Sequence, residues 1–493
     1  MALQLPQPFL ALKSETNNRY LRYIHQDIEG VHGILQFSGE EVLSPYAKFQ
    51  VEVEVGQWVH IRSCYNNKYW RRADQNSRWI VAGADEQEAE PTRWSCTLFE
   101  FEPIIINDTS FSQIRLVHVH SRDYLKISPT NECLFISQNF DVFTVIDRNA
   151  LVIFPKHLAF KINVNGIGNY LRVQIIDTHP YLQFSATNPT KQEKENKVFT
   201  AGDGSVRIMS TFTKKFWRRN SSRDDKISNN WIWADSDDTT NRDSNTLFWP
   251  VKVETNRGDV NDVNVVVALR NLGNNNFCKR LTVGRNNDVV CLTADPPNTI
   301  TPGPDALLAV EELVMSRTIS DLNFRLADAR IYNRQIGKVM AIKEYENPAE
   351  IPASPTISLV YKDKRTSTWS TSADDVSFTA FIQTTLTSDT PFVVQDEGVR
   401  IRVLGNFNGD YKWGKRLESE TTIERRFPVV VKPKSKVKVI LRATTASCDI
   451  PFSYSQRDTL ISHTPAIITC LKEGGLYSGE SLYNFYHTTE IIV

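Results

Sequence analysis

Nothing in this sequence carries the usual signatures of catalysis. There is no HExxH, no phosphate-cradling glycine loop and no GxSxG nucleophile turn. The nine histidines show no ligand spacing. His118 and His120 share one strand face, but no third partner stands near them in the chain. Neither an enzyme, a cofactor nor a bound metal is expected. The seven cysteines (Cys64, Cys96, Cys133, Cys278, Cys291, Cys448, Cys470) are odd in number and scattered, with no CxxC pair. That argues against a disulfide framework and for reduced, mostly buried thiols. No apolar run reaches the roughly 20 residues of a membrane-spanning helix. The start, Met1-Ala2-Leu3-Gln4-Leu5-Pro6, lacks a basic stretch and a long apolar stretch, so no signal peptide is expected. A cytoplasmic or nucleocytoplasmic location is expected for the soluble chain. Charge of one sign is also missing. Lys+Arg and Asp+Glu both number 57, so no global charge favours nucleic acid.

What is present is a repeat. Tyr20-Leu21-Arg22, Tyr69-Trp70-Arg71 and Tyr124-Leu125-Lys126 each follow a polar turn and precede a strand-like run: Leu35-Gln36-Phe37, Trp79-Ile80-Val81 and Leu134-Phe135-Ile136. The trio recurs as Tyr170-Leu171-Arg172, Phe216-Trp217-Arg218 and Phe277-Cys278-Lys279. Each unit offers short alternating strands separated by Asn-, Gly- or Ser-rich turns. One unit cannot close a core. Three related by pseudo-threefold symmetry close a small barrel and remove its edges. The reading is all-β: two tandem β-trefoils at 1–150 and 153–316, then a separate β domain at 317–493. The Pro-rich run at 296–304 falls inside the second trefoil, because the closing segment Leu307 to Val310 lies beyond it.

Residues 5–316 resemble the amaranthin-like plant agglutinins. The match includes the paired Leu-Gln-Phe and Lys-Tyr/Phe-Trp-Arg patterns, Trp94-Ser95-Cys96-Thr97-Leu98-Phe99 and Asp141-Val142-Phe143-Thr144-Val145. A lectin site needs an aromatic face for the sugar ring and amide or carboxylate partners for its hydroxyls. Asn76-Ser77-Arg78-Trp79 in the first trefoil and Asn229-Asn230-Trp231-Ile232-Trp233 in the second offer that mixture. The candidate glycan residues are therefore Asn76, Ser77, Arg78, Trp79, Asn229, Asn230, Trp231 and Trp233. Trp79 and Trp231 occupy the repeated strand position, which suits a core role better than a ligand platform. The resemblance implies a galactose/N-acetylgalactosamine-type glycan, bound between the first trefoil of one subunit and the second of another in a head-to-tail homodimer. Asn76 matches the family's binding-loop Asn. Ala73, Ser77 and Arg78 depart from its aromatic, His and Tyr.

Beyond Ser316 the repeat stops. Ser320 to Ala329 is expected to form a short helical turn. Residues 364–388 are rich in Ser and Thr, and Ala373-Asp374-Asp375 divides them into two arms. In the second arm Val376, Phe378, Ala380, Ile382 and Leu386 share one face, and Ser377, Thr379, Gln383, Thr385 and Thr387 share the other. A period-two run of about eleven residues matches a transmembrane β-strand, but taken alone it better suits a Thr-rich strand of a soluble sheet, because half-buried strands far outnumber membrane ones. Pro391-Phe392-Val393-Val394, Tyr411-Lys412-Trp413-Gly414-Lys415 and Gly474-Gly475-Leu476-Tyr477-Ser478-Gly479 extend a resemblance to the aerolysin-like, natterin-like pore-forming module over 317–493. That resemblance implies an amphipathic hairpin contributed to an oligomeric β-barrel in a target-cell membrane. Trp369, Val376, Phe378, Ala380, Ile382 and Leu386 are its expected lipid-facing residues. Two other readings stand beside a glycan-targeted pore former: a cytosolic glycan-binding stress lectin whose last domain only oligomerises, and a fascin-like trefoil scaffold.

Overall fold

The computed structural model describes residues 8–104, 113–162, 169–186, 192–221, 230–253, 265–283, 289–297, 299–371, 383–386, 389–395, 399–404, 413–461 and 466–492. Three β systems follow one another along the chain.

The first is built from three four-stranded units. They are β1 (Phe9–Ser14), β2 (Tyr20–Tyr23), β3 (Leu35–Gly39) and β4 (Phe49–Val55); β5 (Trp58–Ser63), β6 (Tyr69–Arg72), β7 (Ile80–Ala84) and β8 (Leu98–Pro103); β9 (Gln113–His118), β10 (Tyr124–Ile127), β11 (Leu134–Ser137) and β12 (Phe143–Asp147). The outer strands of each unit pair in a closed ring, β1–β4–β5–β8–β9–β12 and back to β1. The inner pairs β2–β3, β6–β7 and β10–β11 form three hairpins. This is a β-trefoil. The middle residue of the repeated trio (Leu21, Trp70, Leu125) is fully buried, while the basic residue after it stays half exposed, as strand alternation requires.

The second system repeats the plan with β13 (His157–Lys161), β14 (Tyr170–Ile176), β15 (His179–Ala186), β16 (Asn196–Thr200), β17 (Val206–Ser210), β18 (Phe216–Arg219), β19 (Ile232–Ser236), β20 (Phe248–Val253), β21 (Val265–Asn271), β22 (Asn276–Phe277), β23 (Lys279–Val283), β24 (Val289–Thr293) and β25 (Leu308–Glu312). Here β13, β16, β17, β20, β21 and β25 close the ring. The Pro-rich run leads through a 3-10 turn (Pro304–Ala306) into β25, the strand that completes the barrel. The same turn residue is left-handed in five of the units: Asn18, Asn67, Arg122, Lys214 and Asn275 have φ of 56–64°. Among residues with a side chain, asparagine is one of those that tolerate that conformation most readily, which explains the Asn-rich turns of the repeat.

The trefoils meet where Gly202 carries φ +97°. A Cβ there would lie 2.7 Å from the Glu40 carbonyl, so only glycine permits the Val42 N–H to reach the Gly202 carbonyl at 2.8 Å.

The third system holds β26 (Val314–Phe324), β27 (Arg330–Asn347), β28 (Thr356–Thr371), β29 (Gln383–Leu386), β30 (Thr390–Gln395), β31 (Val399–Leu404), β32 (Arg416–Pro428), β33 (Ser435–Leu460) and β34 (Ile467–Ile492). Seven of these form one sheet, in the order β29-β26-β33-β34-β28-β32 with β27 on β33. At about 3.3 Å per residue, a 26-residue strand such as β33 or β34 runs roughly 85 Å, so this module is elongated. The helical turn expected over 320–329 shrinks to a 3-10 turn at Leu326–Asp328, because β26 runs on to Phe324. All seven cysteines are free, and six are buried. Burial pushes the Cys291 thiol up to about 12.

Candidate functional site

The loop between β6 and β7 carries the candidate residues of the first trefoil. Asp74 Oδ1 accepts the Asn76 and Ser77 amides at 2.7 and 2.8 Å, which folds the loop onto itself. Arg72 clamps it from below by donating to the Gln75 and Ser77 carbonyls. Asn76 and Arg78 are exposed as a result. Arg78 donates to the Ile136 carbonyl and lies over the Phe135 ring at 5.4 Å, so its aliphatic stem is anchored. Trp79 is half-buried. It donates to Glu29 and meets Phe135 edge-on, 5.9 Å between ring centres. The free amide in this group is Asn76, whose side chain makes no hydrogen bond among the described residues.

The second trefoil gives a different result. Asn229 lies outside the described residues. Asn230 sits at φ 71°, and its side chain is committed to Arg219, Asp295 and Asn274. Trp231 and Trp233 are 6 and 5% exposed, packed with Tyr181 and Cys291. Trp233 stacks on His179 at 4.2 Å and 4°. The expectation that these two tryptophans offer faces to a sugar is corrected: they hold the hairpin cap, and His179 already covers one of those faces.

The segment expected to form the insertion hairpin is described only in part. Val376, Phe378, Ala380 and Ile382 lie outside the described residues. Trp369 is fully buried in β28, within 6 Å or so of Phe324, Phe452 and Tyr477, so it is a core residue here and not a lipid-facing one. Leu386, in β29, packs against the same core. The two arms do not pair with each other among the described residues. β28 is flanked by β32 and β34, whereas β29 runs parallel to β26 at the opposite edge of the sheet. Residues 372–415 thus leave β28 and return into its direct neighbour β32, whose register runs from Thr356↔Pro428 to Thr368↔Arg416. Within that excursion β30 and β31 form a separate antiparallel hairpin, seated on the core through Val393, Val399 and Ile401.

A further cluster joins residues that stand some three hundred positions apart. Asp328, in the 3-10 turn of the third module, has a side chain only 4% exposed. Its carboxylate accepts from Tyr23 and Tyr65 (3.1 Å to the latter), and it meets His32 Nε2 at 2.8 Å and His25 Nδ1 at 3.1 Å. All four partners belong to the first trefoil. His25 also meets Tyr46, which donates to Glu473 of β34 at 2.8 Å. Asn67 donates to Asp449, and Arg330 donates to the Asp85 carbonyl while lying over Tyr69. Burial pushes the Asp328 carboxyl up, but the hydrogen bonds from His25, Tyr23 and His32 outweigh it and hold the group below its usual range. Burial pulls His32 down, and its bonds to Asp27 and Asp328 raise it above its usual value. No spacing in the sequence announces this dock. Only the fold brings its residues together.

The agglutinin domain model matches this chain twice, over 3–156 and 152–310, which is more than half its length. The chain belongs to the agglutinin family. No curated protein matches it in sequence. Among solved structures, a lamprey immune protein is 13% identical at a TM-score of 0.29, covering 77% of this chain and 87% of that one. The parasporin-2 toxin of Bacillus thuringiensis, which recognises cancer cells, is 17% identical at 0.18, covering 35 and 72%. An aerolysin-like protein of Bombina maxima is 12% identical at 0.24, covering 36 and 99%. The two agglutinin domains correspond to the two closed barrels, and the candidate loop of Asn76 lies in the first agglutinin domain.

Proposed function

We propose that the chain is a lectin-linked pore former. Its agglutinin domains concentrate it on galactose/N-acetylgalactosamine-type glycans, pairing head to tail as a dimer. Its third module then oligomerises and contributes a hairpin to a membrane β-barrel. The observation that carries the reading is the placement of residues 372–415 between two adjacent antiparallel strands, β28 and β32. Extending those strands through the excursion keeps the β28–β32 register and requires β29 to leave β26. A lone hairpin cannot satisfy its edge amides in lipid, but a closed ring of them can. Val376, Phe378, Ala380, Ile382 and Leu386 supply one apolar face, over about the length that a tilted strand needs to span a bilayer.

Dye-loaded liposomes bearing a galactosyl–N-acetylgalactosamine glycolipid test this. Purified protein should release the dye, and liposomes without the sugar should leak far more slowly. A Phe378→Asp/Ile382→Asp variant should agglutinate as before and release nothing. A cytosolic lectin whose third module only oligomerises predicts sugar-dependent agglutination with tight liposomes throughout.

A further inference from the structure

A cavity of about 300 Å³ lies at the seam between the first agglutinin domain and the third module. Tyr23, His32, Lys68, Arg71 and Asp74 line it from the agglutinin side, and Asp328 with Ala327 closes it from the other. It adjoins the Asn76 loop through Ala73 and Asp74.

Most charges around it are already committed. Asp328 takes two tyrosines and two histidines. Asp74 holds the loop amides. Lys68 pairs with Asp85 at 3.2 Å, and His32 bridges Asp27 and Asp328. Arg71 differs. Its guanidinium lies over the Trp94 ring at 5.4 Å and makes no hydrogen bond or ion pair among the described residues. Burial lowers its pKa, while Asp85 and Asp74 act on it only through space in the other direction. A half-buried guanidinium without a fork-shaped partner is an unmet demand for a planar anion, and a carboxylate meets it with two parallel bonds. The remaining wall is polar, which suits a ligand rich in hydroxyls.

We propose that this seam cavity binds an acidic saccharide, with its carboxylate held by Arg71. The proposal rests on the lectin reading of the agglutinin domains. A ligand there touches both the agglutinin domain and Ala327–Asp328, so it binds only the docked arrangement of the two. By linkage it must stabilise that arrangement. Free acidic sugar therefore holds the third module in place and slows any step that requires it to leave.

The test is titration calorimetry on the full chain with N-acetylneuraminic acid, glucuronic acid, galactose and sodium sulfate. The acidic sugars should bind at least about tenfold more tightly than galactose at this site. They should raise the melting temperature, and Arg71→Gln should remove both effects. Ala327→Trp, which fills the cavity from the third module and leaves Arg71 in place, should do the same. Acidic-sugar binding that survives both substitutions overturns the proposal. So does sulfate that competes as well as the sugars, since the site would then hold only an anion. A chain that agglutinates through neutral sugar but ignores acidic ones overturns this site and leaves the lectin reading intact. A chain that binds no sugar of any kind overturns both.

Discussion

His32 Nε2 of the first agglutinin domain lies 2.8 Å from Asp328 Oδ1 of the third module. The contact is one of four that the buried carboxylate receives from the same domain. It ties the first agglutinin domain to the module proposed to insert.

Replacing Asp328 should undo that tie. Asp328→Ala strands two buried hydroxyls and two imidazoles, and loss of one partner of a buried charged network costs about 3–5 kcal/mol. The cost should fall on docking and leave both barrels folded. Amide hydrogen exchange should rise around Tyr23, Tyr65 and Leu326, and the interiors of the barrels should stay protected. Asp328→Asn, which keeps an acceptor, should show a smaller rise.

Docking should depend on pH in a defined direction. His32 is raised in the folded state, so its contribution is complete below its ordinary value of about 6.5 and is lost as pH climbs through the higher folded value. Asp328 is lowered, so its contribution is present above the ordinary Asp value of about 3.9 and is lost as pH falls through its lower folded value. Docking should be tightest between those limits, and mild acid should strengthen it. Exchange protection of Tyr65 and its neighbours, followed from pH 3 to 9, reads this directly. Protection that falls steadily from pH 7 to 5 would contradict it.

Trp369 should behave as a core residue. Its truncation to alanine removes a fully buried ring packed against Phe324, Phe452 and Tyr477, at a cost of about 3–5 kcal/mol. Denaturant unfolding should show the loss in the third module's transition, with agglutination of glycan-bearing cells unchanged.

Asn76 and Trp233 should separate binding from stability. Asn76 is exposed on a loop that other residues hold in shape, so Asn76→Ala should lower agglutination titre and leave the melting temperature within a degree or two. Trp233→Ala removes a buried ring stacked on His179, and should destabilise the second barrel by about 3 kcal/mol or more. Equal effects of both substitutions on melting would refute the division.

The barrels were legible in the sequence because their signals are local and repeated. Leu21, Trp70, Leu125, Leu171, Trp217 and Cys278 recur at one place in each unit, and all six are buried. Trp231 and Trp233 were ambiguous for the same reason: an aromatic at a strand position reads alike as platform or core until its neighbours are known, and Tyr181, His179 and Cys291 come from other strands. The two arms around Ala373-Asp374-Asp375 looked like one hairpin because adjacent strands usually pair. Among the described residues β28 lies between β32, which pairs along most of its length, and β34, which pairs with Thr366–Thr371, while Gln383–Leu386 pairs with β26; the rest of the second arm lies outside the described residues. The Asp328 cluster was illegible. Tyr23, His25, His32 and Tyr65 are unremarkable in the chain, and only the docking of two domains gives them a common partner.

The pore claim requires β29 to leave β26. Thr318 and Thr385 are paired across those strands, with their hydroxyls 3.3 Å apart. A Thr318→Cys/Thr385→Cys variant, oxidised to a disulfide, pins the two strands together. Leakage from glycan-bearing liposomes should be absent while the disulfide is intact and should return to the unmodified protein's rate on reduction. Full leakage with the disulfide intact would contradict the account.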